Sequence, residues 1–313
     1  MNGKTHPFGG DWTTRKLEVL RRYLEAYGQA LKATRFRRIY IDAFAGTGYR
    51  GGRTPVEPAA PHPVLDFPEL AEDEPRALLD GSARISLQVE PAFDQYLFIE
   101  RDPRRCAALE ELKSEFPDRA ASITVRRAEA NDEIRKLCGL NWQGRRAVLF
   151  LDPYGMQVEW STLQAIAHTR AIDLWLLFPL GIGVSRLLVD EHRMQAGWHH
   201  RLTLLFGNED WKHVLYRPAR TADMFGDRRE KVALADIAAY FMERLKSVFP
   251  GVADNPAVLR NSRGSLLYLL CFAAANPRGA AIALRIAGHL LQDLSESWLT
   301  DHQSNGPKAP GTR

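Results

Sequence analysis

The chain has 313 residues, 45% of them apolar and 26% charged, which is ordinary globular composition at a length that can bury a full core. The longest apolar run, residues 265–275, stops at Asn276-Pro277 and is too short to span a bilayer, and no basic-then-apolar leader opens the chain. The expectation is a cytoplasmic protein with no membrane partner. The net charge of +4 is carried by 33 Arg against 9 Lys, which suits a polyanionic partner and is equally what a GC-rich coding sequence produces.

Residues 11–31 carry Leu17, Leu20, Leu24, Tyr27 and Leu31 at helical spacing, with Thr13 or Thr14 as N-cap. Strand-length apolar runs follow at 38–44, 95–100, 122–127 and 147–153, with helical patterns at 103–116 and 131–140 between the last three. A helix over 159–169 and a strand over 172–179 continue the alternation, which argues for a parallel sheet with right-handed crossovers. After a helix at 234–249 the pattern changes, and residues 257–274 read as two strands around a short polar turn. A hairpin closing a mostly parallel sheet, with helices on both faces, is the Rossmann-like class I methyltransferase plan. In the dehydrogenase plan, strands and helices keep alternating.

A helix at about 277–293 and a disordered tail over 301–313 end the chain, so residues 1–300 are read as a single domain. Two insertions interrupt it. Residues 51–81 hold six prolines, and residues 181–228 hold Trp198, His199, His200, Trp211 and scattered Arg. Cys106, Cys138 and Cys271 lie too far apart for a metal or disulfide spacing, and adjacent histidines such as His199 and His200 rarely chelate together, so no metal is expected.

Three strand ends carry the chemistry. In an open parallel sheet, ligands bind at the carboxyl ends of strands where the strand order reverses. The first strand ends in "DAFAGTG", with Asp42, Phe44, Gly46 and Gly48, and the second ends on Glu100. The glycines are a turn, or they clear space for a cofactor whose ribose hydroxyls Glu100 accepts. No third glycine opens a helix, so the pattern is not the dinucleotide fingerprint, in which a pyrophosphate sits on a helix N-terminus. S-adenosylmethionine carries an amino-acid end in place of phosphate, and Asp42 would face its ammonium. Glu129 and Ala130 follow the third strand, where the adenine would lie, and capping of the next helix by Asn131 accounts for that stretch equally well.

The fourth strand delivers Asp152-Pro153-Tyr154-Gly155. An aniline-like nitrogen is a poor nucleophile because its lone pair is delocalised into the ring. A carboxylate and a backbone carbonyl that accept its two N–H groups favour a tetrahedral nitrogen with the lone pair aimed at the methyl group. Asp152, Pro153 and Tyr154 are therefore the candidate catalytic residues, with Tyr154 stacking on the base. The usual amine motif has two prolines before the aromatic; here the aromatic comes one place early.

These stretches, with "FIERDP", "LDPYGMQVEWSTL" and "LRNSRGSLLYLLCFAAANPRG", resemble the three-Cys-motif partner protein family (TcmP) over residues 11–293. The resemblance implies a methyltransferase fold and a partner protein with a cysteine-bound metal cluster; the three cysteines of this chain are not that motif. The combined expectation is S-adenosylmethionine-dependent methylation of an exocyclic amine in DNA or RNA beside such a partner. Two alternatives are a non-catalytic subunit that keeps the fold and a nucleic-acid-binding module built on the arginines.

Overall fold

The computed structural model describes residues 11–47, 49–50, 79–189, 194–218, 229–261 and 264–304. Its centre is a sheet built from β1 (Arg37–Asp42), β2 (Gln95–Glu100), β3 (Ile123–Arg127), β4 (Arg145–Leu151), β5 (Ile172–Phe178), β6 (Gly251–Val252), β7 (Ala257–Arg260) and β8 (Leu266–Ala274). The path runs β6-β8-β5-β4-β1-β2-β3, and β7 also pairs with β8. Strands β1 to β5 are parallel, whereas β8 is antiparallel to β5, β6 and β7. That order, closed by an antiparallel hairpin, is the Rossmann-like class I methyltransferase sheet. The strand order reverses between β1 and β4, so the crevice of the fold lies at their carboxyl ends.

The sequence dictates this because successive strand residues point to opposite faces. Ile39, Ile41, Leu149, Leu174 and Leu176 face one apolar layer; Tyr40, Phe98, Val148, Phe150 and Trp175 face the other. The first layer is covered by α4 (Ala130–Cys138), α5 (Trp160–His168), α6 (Ala196–Phe206) and α7 (Leu234–Lys246); in it the rings of Phe178 and Phe241 stack 3.7 Å apart. The second is covered by α1 (Asp11–Leu31), α2 (Ser82–Gln88), α3 (Pro103–Glu115) and α8 (Ala280–Ser304). Strand β5, "IDLWLLF", is buried throughout, as a central parallel strand covered on both sides must be.

Most sequence boundaries hold to within about two residues, the ordinary uncertainty of element ends. Three differences matter. Residues 82–88, next to the first insertion, form α2, a short helix that periodicity did not reveal. The second insertion contains α6 and a turn of π-helix over Leu180–Val184. The final helix begins at Ala280 and runs to Ser304, so residues 301–304, assigned to the tail, are helical. Residues 51–78 and 305–313 lie outside the described residues. Among the described residues, no helix is long and apolar enough to cross a membrane.

Candidate active site

Asp42 ends β1 at the reversal point and is completely buried. The hydroxyl of Tyr40, two residues earlier on the same face, donates to its Oδ2 at 3.2 Å. Among the described residues Oδ1 has no hydrogen-bond partner: the Ser82 side chain and the Phe44 N–H face the carboxylate without completing a bond to it. Burial drives the Asp42 carboxyl up from 3.8 to about 7; the Ser82 side chain pulls the other way, and the nearby charge of Asp152 pushes further up.

After Asp42 the chain turns between its neighbours. Ala43 N–H donates to the Phe150 carbonyl of β4 and Ala45 N–H to the Ile99 carbonyl of β2, both at 3.3 Å. Gly46 has φ +61, a left-handed conformation that costs an L side chain roughly 1–2 kcal/mol. A Cβ placed there would meet nothing within 4 Å, so the turn faces open space. Phe44 is half-buried against the apolar layer on the α4 side. Gly48 lies outside the described residues.

Glu100, at the end of β2, organises the adjoining loops. Its Oε2 accepts from Gly46 N–H at 3.1 Å, and Oε1 accepts from the N–H groups of Arg101 and Asp102 at 2.8 and 2.9 Å. A carboxylate offers about four acceptor directions, so this one keeps capacity for a hydroxyl. Asp102 then caps α3 by accepting from Arg104 and Arg105 N–H, with Pro103 at the first helical position.

The structure settles how the stretch after β3 is used locally. Glu129, rather than Asn131, is the N-cap of α4: its Oε2 accepts from Asp132 N–H at 2.9 Å and its Oε1 from the Asn131 side chain at 3.0 Å. Asn131 instead ties α4 to the segment after β4, donating to the Gln157 carbonyl at 2.8 Å and accepting from Glu159 N–H and the Thr162 hydroxyl. Ala130 is buried at the start of α4.

At the end of β4, Asp152 is partly exposed, Pro153 is buried and the Tyr154 ring is 54% exposed, open to a stacking partner. Tyr154 N–H donates to Gln157 Oε1 at 3.2 Å, and Gly155 takes φ +74 to complete the turn. The Asp152 carboxylate is not solitary: it forms an ion pair with Lys16 of α1. Tyr268, buried near the start of β8, also lies close enough to feel the charges of Asp152 and Tyr154, and burial first, then those two groups, raise its phenol. Asp42, Glu100 and Asp152 thus converge on one rim, with Tyr40, Ser82, Lys16 and Tyr268 around them.

Those four residues were missed by sequence reasoning. Tyr40 shares the face of Asp42 at a spacing of two, and Lys16 stands on the apolar stripe of α1 beside Thr13, Leu17 and Leu20, so both left a faint signal. Tyr268 reads as one more apolar strand residue. His199 packs on the Trp211 ring with centroids 5.2 Å apart and lies 3.8 Å from Glu209.

No family model and no curated protein matches the chain, so the likeness to the three-Cys-motif partner family rests on the sequence stretches alone. Among solved structures the chain is similar to a Legionella pneumophila protein of family-model DUF519, at 12% identity over 92% of both chains with a TM-score of 0.47. It is also similar to spermidine synthase from Thermotoga maritima, at 10% identity over 85% of this chain and 60% of that one, with a TM-score of 0.36. A third is the N-terminal domain of EvdMO1, determined with SAH and D-fucose: 13% identity, 81% and 82% coverage, TM-score 0.35. The fold assignment stands on strand order and direction.

Proposed function

We propose that this protein is an S-adenosylmethionine-dependent methyltransferase that acts on an exocyclic amine in nucleic acid. The observation that carries the reading is Asp42: a fully buried carboxylate at the sheet's reversal point, with one oxygen lacking any partner among the described residues. A buried orphan acceptor costs free energy unless a ligand donor satisfies it. The ammonium of an amino-acid-bearing cofactor is such a donor, and the open space above Gly46 fits it. Glu100, already holding the Gly46 turn, keeps acceptor capacity for ribose hydroxyls. Glu129 is spent on capping, so an adenine contact there would come from the backbone near Ala130.

The cofactor, when bound, supplies an electrophilic methyl group on a sulfonium. The residues of this chain do the rest. Asp152 accepts one N–H of the acceptor amine, a backbone carbonyl of the turn accepts the other, and the exposed Tyr154 ring stacks on the base. Together they direct the nitrogen lone pair and stabilise the positive charge that develops on it. A base within a duplex must first be flipped out of the stack. Support for nucleic acid comes from the arginine excess and the amine-type turn; support for a cysteine-cluster partner comes from the family resemblance.

The test is transfer of a radiolabelled methyl group from S-adenosylmethionine to total RNA and DNA, with and without a co-expressed cluster protein. Label in a nucleic acid fraction, lost in Asp152→Asn, is the expected result. Cofactor binding without transfer to either polymer refutes the nucleic-acid assignment.

A further inference from the structure

Lys16 has no part in the chemistry above, yet its position is costly. Its side chain is 6% exposed and its ammonium reaches the Asp152 carboxylate, which is 28% exposed. A lysine can meet a partly exposed carboxylate from solvent without being buried; burying its charge is unfavourable unless the site requires a cation there. The helical spacing shows how it arrives: Lys16 lies three residues after Thr13 and four before Leu20, both buried, so α1 carries it on the stripe that packs against the sheet.

The pairing is also at odds with amine methylation. Asp152 is useful to a nitrogen that becomes positive only while its own charge is free. An ammonium held against it cancels that charge and repels the charge developing on the acceptor. The same ammonium would serve well elsewhere in the crevice. Asp42 and Asp152 lie near enough for the charge of one to raise the carboxyl of the other, so Asp42, Asp152 and Lys16 form one cluster of two acids and one base. A zwitterionic amino-acid group carries an ammonium and a carboxylate on one carbon; Asp42 faces the first and Lys16 is the cation for the second.

We propose that Lys16 is a cofactor-binding residue that takes the cofactor's carboxylate and, in doing so, releases Asp152 to the acceptor. The proposal rests on the cofactor reading above and deepens it. It makes the crevice ordered: without cofactor the acceptor carboxylate is held by Lys16, and the cofactor's own carboxylate draws Lys16 away. Both ion pairs are single contacts to one ammonium, so the exchange needs a change of side-chain rotamer and no movement of α1.

A four-way binding comparison tests it. The affinities of S-adenosylmethionine and of its decarboxylated form, which lacks only the carboxylate, are measured by calorimetry on the wild-type protein and on Lys16→Gln, with Lys16→Arg and Lys16→Met as companions and circular dichroism as the check of folding. Lys16→Gln and Lys16→Met are expected to weaken S-adenosylmethionine about 10- to 100-fold, the loss of one charge-assisted contact. They should leave the decarboxylated form within about twofold, and Lys16→Arg should keep most of the affinity. Equal weakening of both ligands, or of neither, overturns the role of Lys16 while leaving the cofactor reading intact. Should the glutamine and methionine variants fail to fold, the folded arginine variant decides by the same comparison: a loss equal for both ligands, or a wild-type protein with no preference for the carboxylated ligand, overturns the proposal. Absence of binding of either ligand to the folded wild-type protein overturns the cofactor reading and the proposal together.

Discussion

Replacing Asp42 with Asn should alter the pH dependence of stability in a way that few other substitutions would. Burial raises the Asp42 carboxyl from 3.8 to about 7. Between those values the native state holds a proton that the unfolded chain has released, so stability falls as pH rises through that window. The full cost of ionising Asp42 in the folded protein is about 4 kcal/mol, at 1.36 kcal/mol per pKa unit. About 2 to 3 kcal/mol of it accrues between pH 5 and pH 8. Asn keeps an acceptor for the Tyr40 hydroxyl but buries an NH₂ group among groups arranged for a carboxylate, a penalty of about 1–3 kcal/mol that does not vary with pH. Asp42→Asn is therefore expected to be less stable than wild type at pH 5 and to gain relative to it by about 2 to 3 kcal/mol by pH 8. Asp173, raised by burial to about 6 against its Tyr23 hydrogen bond, titrates in both proteins and cancels from the difference. Urea unfolding at pH 5, 6, 7 and 8, with the slope m held common, measures it. Parallel stability–pH curves for the two proteins would refute the reasoning.

Cofactor affinity should rise with pH up to about 7, because an ammonium ligand requires ionised Asp42; below that value it should fall by up to about tenfold per pH unit. Calorimetry in buffers of different ionisation enthalpy should show proton release at pH 6 and little at pH 8. Gly46→Ala should cost roughly 1–2 kcal/mol in stability, because φ is +61 and the added Cβ meets no atom, yet abolish cofactor binding, because the space it enters is the ligand's; chemical denaturation beside a binding titration separates the two effects. Asp152→Asn should retain cofactor binding and lose about 10²- to 10³-fold in methyl transfer, read by single-turnover kinetics, as removal of one preorganised electrostatic contact does. Gly181→Ala would set a Cβ 1.8 Å from the Leu266 carbonyl, so it should perturb the π-helical turn after β5 and lower the melting temperature, measured by calorimetric scanning.

Strands β1 to β5 were legible because each is a short, nearly continuous apolar run between turn-forming residues, the signature of a parallel strand covered on both faces. The closing hairpin was legible for a similar reason, with the polar residues between 257 and 274 interrupting two apolar runs. Asp42, Glu100 and Asp152 could be found because a polar residue at the tip of a buried strand breaks the local pattern, and the sheet brings the strand tips together. What sequence could not supply is contact across distance. Lys16 and Asp152 are 136 residues apart, and only the packing of α1 over the sheet joins them. Capping was also ambiguous: Glu129 and Asn131 are two residues apart, either can cap, and the tie from Asn131 to the segment after β4 decides between them. Helix α2 was hidden because its seven residues, beside a proline-rich stretch, are too few to display a period.

The central claim is that the crevice at the reversal of strand order is built for S-adenosylmethionine and that Asp42 is its anchor. Calorimetric titration of the purified full-length protein with S-adenosylmethionine at pH 8, beside Asp42→Ala, tests it most directly. Saturable one-to-one binding by the wild type that disappears in a folded Asp42→Ala variant is the predicted result. Heat of dilution alone from the folded wild type, or equal binding by both proteins, would contradict it.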